Sequence, residues 1–286
     1  MPKTKARAAK PSAAQEIIEV VKTVVYALGI ALVIRTLLFQ PYTIPSASEE
    51  PNLYQGDYII VTKWSYGYSH HSMLFSPPLF NGRIFFTPPK RGDTVVFKLP
   101  NDGDTDYIKR LVGLPGDRIQ MRDGKLYIND KMLKRAAPIP IITHDHASPE
   151  AGGRGPETVA LVTETNPEGR SYNTQYHPTP EPADNTAVYI VPQHCYFMMG
   201  DNRDNSLDSR FDPGLASDDP KLHGCAWDSR VDDAVQSSQP GVGFVPEENL
   251  VGRARIIMVS WNSGASLWKP WTWLDLNFSR FFRLVK

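Results

Sequence analysis

The 286-residue sequence has little cysteine and no excess charge of either sign. Its two cysteines, Cys195 and Cys225, are too few for a disulfide scaffold, although they suffice for one bridge in an oxidising compartment. Lys plus Arg and Asp plus Glu balance at 31 each, so the net charge does not point to nucleic acid, and we predict no such partner. No Cys and His spacing is typical of zinc, and we expect neither a metal nor a cofactor.

Helical periodicity is scarce after residue 40. The 25 prolines, the 20 glycines and an aromatic content of 10% favour turns and strands over a helical bundle. β-Branched and aromatic runs predict strands at residues 56–63, 94–99, 107–112, 188–191, 195–199 and 251–261. Residues 118–128 predict a β-hairpin with a type I′ turn at Asp123 and Gly124. We therefore expect a mainly β protein beyond residue 40.

One apolar run is long enough to span a bilayer, which takes roughly 20 residues. It covers residues 20–39, with Lys22 and Arg35 near its ends. A cleaved signal peptide would have a shorter apolar region followed by small residues, which are absent here. We predict a retained single transmembrane helix at residues 17–39, preceded by a basic cytoplasmic tail at residues 1–16. The remainder then lies outside the cytoplasm, although Arg35 near the outer end opposes this orientation.

Several segments depart from the strand pattern. Residues 135–186 are rich in Pro, Thr, Glu and Gly, and we predict an inserted, loop-rich β subdomain there. We predict a second, polar insertion at residues 211–243. Residues 66–89 and the aromatic, basic C-terminal segment at residues 262–286 either contact lipid or pack on the protein's own core. The sequence leaves both alternatives open.

Residues 44–51, hereafter the serine segment, begin a few residues after the apolar run. Residues 40–43 separate the segment from the end of the apolar run at residue 39. The segment places Ser46 and Ser48 between Pro45 and Pro51, and proline disfavours helix both at its own position and at the residue before it. Taken alone, the segment indicates a polar end to a membrane helix, since Ser and Pro are common in loops.

Lys109 lies within the predicted strand at residues 107–112. A lysine that is desolvated loses pKa, and it can then be neutral near pH 7 and accept a proton from a serine such as Ser48. Serine and lysine form a known alternative to the Ser-His-Asp triad. The opposing interpretation, that Lys109 points to solvent from an edge strand, describes the commoner fate of a lysine.

Residues 200–210, hereafter the acidic loop, form another polar cluster. As a calcium loop the segment lacks the glycine at the sixth position and the glutamate at the twelfth. We instead predict a self-satisfied network of ion pairs and hydrogen bonds. The histidine pairs at residues 70–71 and at His144 and His146 lie in loop-like sequence and predict no metal site.

Three stretches together resemble bacterial signal peptidase I. They are IPSAS at residues 44–48 followed by Pro51, DYIKRLVGLPGD at residues 106–117, and GDNRDNSLDSR at residues 200–210. Their order behind an N-terminal anchor makes the combination specific. The resemblance covers residues 17–134 and 187–261 well, and it covers the insertions at residues 135–186 and 211–243 poorly. It implies an antiparallel, signal-peptidase-like β catalytic domain at residues 40–134 and 187–261, interrupted by the inserted subdomain.

The resemblance also implies roles for individual residues. Ser48 matches the nucleophile and Lys109 the general base, while Ser46 matches the hydroxyl that joins the Ser48 backbone N–H in an oxyanion hole. Ser206 matches a serine that hydrogen-bonds the lysine. The matching supporting residues are Asp201, Asp208, Arg110 and Arg210. Exported preproteins would be cut after small residues at positions −1 and −3, in shallow pockets lined by Ile44, Leu53, Tyr107 and Ile108.

The expected partners are preproteins that carry signal peptides, and the lipid bilayer. We predict a single-pass monomer of the bacterial inner membrane, with a cytoplasmic N-terminus, a periplasmic catalytic domain and a possible Cys195–Cys225 disulfide. The chain departs from the family pattern at Glu49, where methionine usually follows the nucleophile, and we predict that Glu49 points outward. Glu49 is also the only support for an alternative, a catalytically silent homologue that binds exported peptides. A calcium-binding periplasmic module is a further alternative, based on the acidic loop.

Overall fold

The structure is a computed structural model that describes residues 13–73, 76–77, 80–143, 158–227, 239–262 and 270–285. Residues 1–12 of the predicted basic tail lie outside these ranges, as do His144 and His146.

Helix α1 spans Ala13–Leu37, and none of its residues is buried against the rest of the protein. Within the described ranges it is the helix that is long and apolar enough to cross a membrane. It begins four residues before the predicted span of 17–39 and ends two residues earlier. The early end has a structural reason, because Phe39 already pairs with Thr62 in a β-sheet.

The strands that follow are listed here in chain order. They are β1 (Phe39–Thr43), β2 (Asp57–Thr62), β3 (Thr94–Lys98), β4 (Asp106–Gly113), β5 (Arg118–Arg122), β6 (Lys125–Ile128), β7 (Lys131–Met132), β8 (Lys134–Arg135), β9 (Ile139–Ile142), β10 (Thr158–Thr165), β11 (Ser171–Tyr176), β12 (Tyr189–Ile190), β13 (Cys195–Met199), β14 (Val245–Pro246), β15 (Leu250–Ser260) and β16 (Arg283–Leu284). The prediction of a mainly β fold behind one apolar helix is confirmed.

The strands form three sheets, and every described strand pair is antiparallel. The main sheet has the order β1-β2-β15-β3-β4-β13-β14, with β16 added to β15. A second sheet has the order β12-β5-β6-β7, and its β5–β6 hairpin turns at Asp123 (φ 48°) and Gly124 (φ 66°). Positive φ at both central residues is the type I′ geometry that the sequence predicts. The third sheet contains β8 to β11 and lies in the predicted insert.

The core under the serine segment fixes that segment in place. Ile44 and Leu53 are 3% and 0% exposed, and they pack with Ile59 and Val61 of β2. The Ile44 N–H also donates to the Asp57 carbonyl. The serine segment is therefore held from below by the main sheet.

Two segments, residues 66–89 and 262–286, are expected from the sequence either to contact lipid or to pack on the core. Each of them contains both buried and exposed side chains. In the C-terminal segment, Arg280 is buried and its guanidinium pairs with Asp57, so part of this segment packs on the main sheet. Phe278 and Phe282 of the same segment are exposed. In the segment at residues 66–89, Phe85 is 83% exposed, whereas Tyr66 is buried in the core.

Candidate active site

The serine segment presents its two hydroxyls differently. Ser46 has an extended backbone and is exposed, whereas Ala47–Glu49 form a single 3₁₀ turn that carries Ser48 into the protein. Ser48 is 9% exposed, and its Oγ lies 3.4 Å from Ser46 Oγ. This spacing leaves Ser46 beside the Ser48 hydroxyl but open to the cleft.

Lys109 reaches Ser48 from β4. Its backbone pairs with Val95 of β3, and its side chain is buried at 4% exposure. Lys109 Nζ lies 2.5 Å from Ser48 Oγ and donates a hydrogen bond to it. Burial lowers the pKa of Lys109, although the negative charges of Glu49, Asp208 and Asp201 oppose this shift. The structure thus brings together the serine and the lysine that the sequence places 61 residues apart.

The acidic loop packs tightly against the back of the serine segment. A Cβ on Gly200 would lie 2.5 Å from the Ser48 carbonyl oxygen and 2.3 Å from Ser206 Oγ, so only glycine fits there. The Asn202 N–H donates to the Ser48 carbonyl at 3.1 Å, and Asn202 Nδ2 donates to the Ala47 carbonyl at 3.2 Å. The loop therefore holds the backbone on both sides of the Ser48 Cα.

Two buried ion pairs frame this contact. Arg110 donates to both carboxylate oxygens of Asp201 at 2.6 Å. Arg210 donates to Asp208 at 2.8 and 2.9 Å, and the Gly200 N–H donates to the same carboxylate at 3.0 Å. Although burial alone raises it, the pKa of Asp208 is lowered by the charge and hydrogen bonds of Arg210.

The prediction of a self-satisfied acidic loop is correct in part: Asp208 and Arg210 form an ion pair within it, and Arg203 Nε donates to the Gly200 carbonyl at 3.1 Å. Asp201 pairs with Arg110 on β4, and Arg203 pairs with Glu164 on β10 at 2.6 Å. The acidic loop is therefore tied to the main sheet and to the insert, since most of its charges find their partners outside it.

The structure does not form the predicted hydrogen bond between Ser206 and the lysine. Within the described residues, Ser206 Oγ has no hydrogen-bond partner, and Lys109 Nζ is bonded to Ser48. Ser206 instead packs against Gly200, while it still lines the cleft in front of Lys109.

The prediction that Glu49 points outward is wrong. Glu49 is 1% exposed, because the 3₁₀ turn that buries Ser48 also turns the next side chain inward. Burial, followed by the nearby charge of Asp201, raises the pKa of the Glu49 carboxyl well above its usual value. The charges of Lys109 and Arg110 and the Asp201 backbone N–H act in the opposite direction.

A cleft of about 490 Å³ opens in front of Ser48 and Lys109. Tyr107 and Ile108 line it, as predicted, together with Pro45, Leu207 and Phe211. The expected pocket residues Ile44 and Leu53 do not line it. Both are buried in the core behind the serine segment, so they support the cleft without facing it.

A model of the family described as "Signal peptidase, peptidase S26" matches residues 17–261 of the chain. The chain belongs to the S26 signal peptidase family. Membership makes the protein a peptidase and confirms the resemblance predicted from the three sequence stretches. The family match also runs across residues 135–186 and 211–243, which the resemblance covers poorly.

Relatives of the S26 signal peptidase family match almost the whole chain. Signal peptidase I of Rickettsia typhi is 36% identical over 278 residues, which is 90% of this chain and 90% of the relative. Signal peptidase I of Rickettsia canadensis is 36% identical over 282 residues, or 92% and 91% of the two chains. The crystal structure of a signal peptidase I from Enterococcus faecalis V583 is 24% identical, with a TM-score of 0.28, and the match covers 58% of this chain and 97% of that one.

Several residues of this signal peptidase site were missed by sequence reasoning. Asn202 and Arg203 lie inside the recognised GDNRDNSLDSR stretch, so the motif itself could have indicated them. Asn52 donates to Asp201 at 2.7 Å, and Glu164 pairs with Arg203, but each lies in sequence without a recognisable pattern. The cysteines Cys195 and Cys225 are joined in a disulfide that links β13 to the residues after the acidic loop.

Proposed function

We propose that this protein is a membrane-anchored serine endopeptidase that removes N-terminal signal peptides from exported preproteins. Ser48 is the nucleophile and Lys109 is the general base. The observation that carries the proposal is the 2.5 Å contact between Lys109 Nζ and Ser48 Oγ in a buried environment. The names of the S26 family and of the Rickettsia relatives support the substrate class.

The chemistry follows from the protonation state of Lys109. A neutral amine takes the Ser48 hydroxyl proton while Oγ bonds to the scissile carbonyl carbon, and the resulting ammonium then donates that proton to the leaving amine. A water molecule attacks the acyl-serine in the same way and regenerates the free hydroxyl. Burial favours this cycle because it lowers the pKa of Lys109.

The exposed hydroxyl of Ser46 supports a role in the oxyanion hole. It lies on the open side of Ser48, 3.4 Å from Oγ, where the carbonyl oxygen of a bound peptide would develop negative charge. With the Ser48 backbone N–H it supplies two donors. The deprotonated lysine then faces the hydroxyl proton, and the donors face the oxyanion.

The free edge of β4 supports an extended mode of substrate binding. β13 pairs with β4 only from Arg110 onward, so residues 106–109 have an unpaired edge toward the cleft among the described strands. A peptide can add to this edge as a strand, with alternate side chains directed into the protein. Tyr107 and Ile108 line this part of the cleft, and in this proposal they form walls of the pockets that accept small residues at positions −1 and −3.

The surface near the end of α1 supports contact with a bilayer. Phe39 and Trp64 pack edge to face at 4.8 Å, and both are exposed. Tyr68 donates to the Leu37 carbonyl and pairs with Ile84, which places the exposed Phe85 near the same end. We place α1 across the inner membrane of a bacterium, with the tail in the cytoplasm and the catalytic domain of the monomer outside it.

Cleavage of a preprotein by the detergent-solubilised full chain tests this function. The parent protein should release the mature protein, whereas Ser48→Ala, Lys109→Ala and Lys109→Arg should not. Lys109→Arg is the matched control, because arginine keeps the positive charge and cannot lose its proton. Cleavage that persists in any of these variants would refute the assigned dyad.

The same experiment separates the peptidase from a silent homologue that only binds exported peptides. The silent homologue, which the buried Glu49 favours, predicts no turnover by the parent protein. It also predicts equal binding of a signal peptide by the parent and by Ser48→Ala. Turnover by the parent protein eliminates it.

A further inference from the structure

Glu49 is a buried carboxyl next to the nucleophile, and the proposed catalytic cycle does not use it. Its side chain is 1% exposed, and none of the described basic residues forms an ion pair or a normal hydrogen bond with its oxygens. The 3₁₀ turn that contains it packs on β4, the strand of Lys109 and Arg110. A carboxyl in such a place requires an explanation, because burying an acid without a basic partner is costly.

The charges around the dyad can be counted. Arg110 and Asp201 neutralise each other in one buried pair, and Arg210 and Asp208 neutralise each other in another. Glu49 and Lys109 remain, both buried and both outside these ion pairs. Of the nearby charged groups, Lys109 is the one that most stabilises a carboxylate at Glu49, and Glu49 is the one that most stabilises an ammonium at Lys109.

Two arrangements of Glu49 and Lys109 keep the site neutral. Either both groups are uncharged, or a carboxylate faces an ammonium, and the two differ by the transfer of one proton from the carboxyl oxygen to the amine nitrogen. Both arrangements contain one proton in total, so the two groups titrate as a pair. Only the uncharged arrangement gives Ser48 a base.

We propose that Glu49 shares this proton with Lys109 and thereby sets the pH above which Ser48 acquires its base. The proposal rests on the proposed function, since it assigns Lys109 the role of base. Glu49 is a positioning residue in this scheme, because it acts on the reaction through Lys109 and does not contact the substrate.

The other charged groups near the pair do not replace Glu49. A carboxylate at Glu49 raises the pKa of Lys109 more than Asp208 or Asp201 does, and both aspartates are already paired with arginines. Asp204 and Asp106 line the cleft at a greater remove, and Asp204 accepts a hydrogen bond from the His177 N–H. Removing the Glu49 carboxyl therefore leaves Lys109 without its strongest stabiliser as an ammonium.

The test compares the pH profiles of kcat/KM for the parent, Glu49→Gln and Glu49→Met. Activity rises with pH as Lys109 loses its proton. We expect both variants to move this acidic limb to lower pH by about one unit or more. At a pH below the parent's midpoint, a shift of one unit corresponds to about tenfold higher activity.

Glu50→Gln is the matched control. Glu50 is the next residue and is also buried, but its charge acts on Tyr54. The midpoint of its acidic limb should stay where the parent has it. Circular dichroism and thermal melts establish that each variant is folded, and Glu49→Met provides a second folded test if Glu49→Gln does not fold.

An unchanged acidic limb in folded Glu49→Gln or Glu49→Met would overturn the proposal, as would the same shift in Glu50→Gln. Loss of the fold in both Glu49 variants would assign the residue a purely structural role and also overturn it. These outcomes differ from a failure of the proposed function, in which the parent shows no cleavage that depends on Ser48 and Lys109. In that case the role proposed for Glu49 would be refuted together with the proposed function.

Discussion

The proposed role of Ser46 can be tested separately from the proposed roles of Ser48 and Lys109. Ser46 is exposed, and its hydroxyl is 3.4 Å from Ser48 Oγ. We predict that Ser46→Ala lowers kcat by about two to three powers of ten, the usual effect of losing one oxyanion donor, with little change in KM. Steady-state cleavage of a preprotein measures both constants.

Ser46→Thr is the control for this prediction, because it keeps a hydroxyl at the same atom position. It should retain most of the activity that Ser46→Ala loses. Full kcat in Ser46→Ala would show that Ser46 contributes no hydrogen bond to the transition state.

For single residues, the sequence predicts which residues form the site better than it predicts where their side chains point. The three motif stretches single out Ser48 and Lys109, and the structure joins them. The direction of Glu49 could not be predicted, because it depends on how a single 3₁₀ turn packs against Asp201 and β4. The same applies to Ser206, whose hydroxyl is directed by its contact with Gly200.

Among the structural elements, the β10–β11 hairpin of the insert supports the acidic loop. The Gln175 N–H of β11 donates to the Asp201 carbonyl, and the Arg203 N–H donates to the Gln175 carbonyl. Glu164 of β10 is fully buried and binds both Arg203 and the Tyr176 hydroxyl. The insert is therefore joined to the loop that holds the backbone at Ser48.

We predict that Glu164→Ala destabilises the protein by about 3–5 kcal/mol, because it leaves the buried Arg203 charge without its partner. The melting temperature should fall by roughly 2–4 °C for each kcal/mol. Differential scanning calorimetry of the solubilised protein measures this change. Cleavage activity should fall as well, since the acidic loop loses its support.

Glu168→Ala is the matched control in the same hairpin. The Glu168 side chain pairs with Arg91 but is 51% exposed, so its removal should cost at most about 1 kcal/mol. Equal destabilisation by the two substitutions would contradict the role assigned to the Glu164–Arg203 pair.

Of the eight strands described in the main sheet, the sequence predicts β2, β3, β4, β13 and β15, because their burial pattern matches their apolar runs, and it misses the short strands β1, β14 and β16. It underestimates the insert, which is described as loop-rich but contains the eight-residue strand β10. The reason is the character of its inward-facing residues: Glu164, Thr174 and Gln175 are buried yet polar. Buried polar side chains obscure the alternation of apolar and polar residues by which a strand is recognised in a sequence.

For the whole molecule, the central arrangement is a cleft close to a membrane helix. Only Leu38, β1 and Ile44 separate α1 from Pro45 at the cleft. In the proposed function, a short connection of this kind restricts how far Ser48 can lie from the bilayer surface. The site is then accessible to a peptide that emerges from the same membrane.

The proposed orientation predicts how single cysteines are labelled in spheroplasts. Cys195 and Cys225 are bonded to each other and are the only cysteines of the sequence, so an added cysteine is the sole free thiol. Lys125→Cys, on the exposed face of β6, should react with a membrane-impermeant maleimide in intact spheroplasts. Thr4→Cys should react only after lysis, and the reverse pattern would contradict a cytoplasmic N-terminus.

The most direct test of the central claim is to rebuild the amine of Lys109 chemically. We predict that Lys109→Cys is inactive and regains preprotein cleavage after alkylation with 2-bromoethylamine, which restores an amine at the length of lysine. The alkylation is performed in urea with the disulfide intact and is followed by refolding, and the parent protein passes through the same cycle as a control. Alkylation with iodoacetamide, which adds a neutral amide, should restore nothing. The assignment of Lys109 as the general base would be contradicted by cleavage with unmodified Lys109→Cys or by equal recovery with iodoacetamide. It would also be contradicted if the amine restored no activity while the parent protein refolded to full activity.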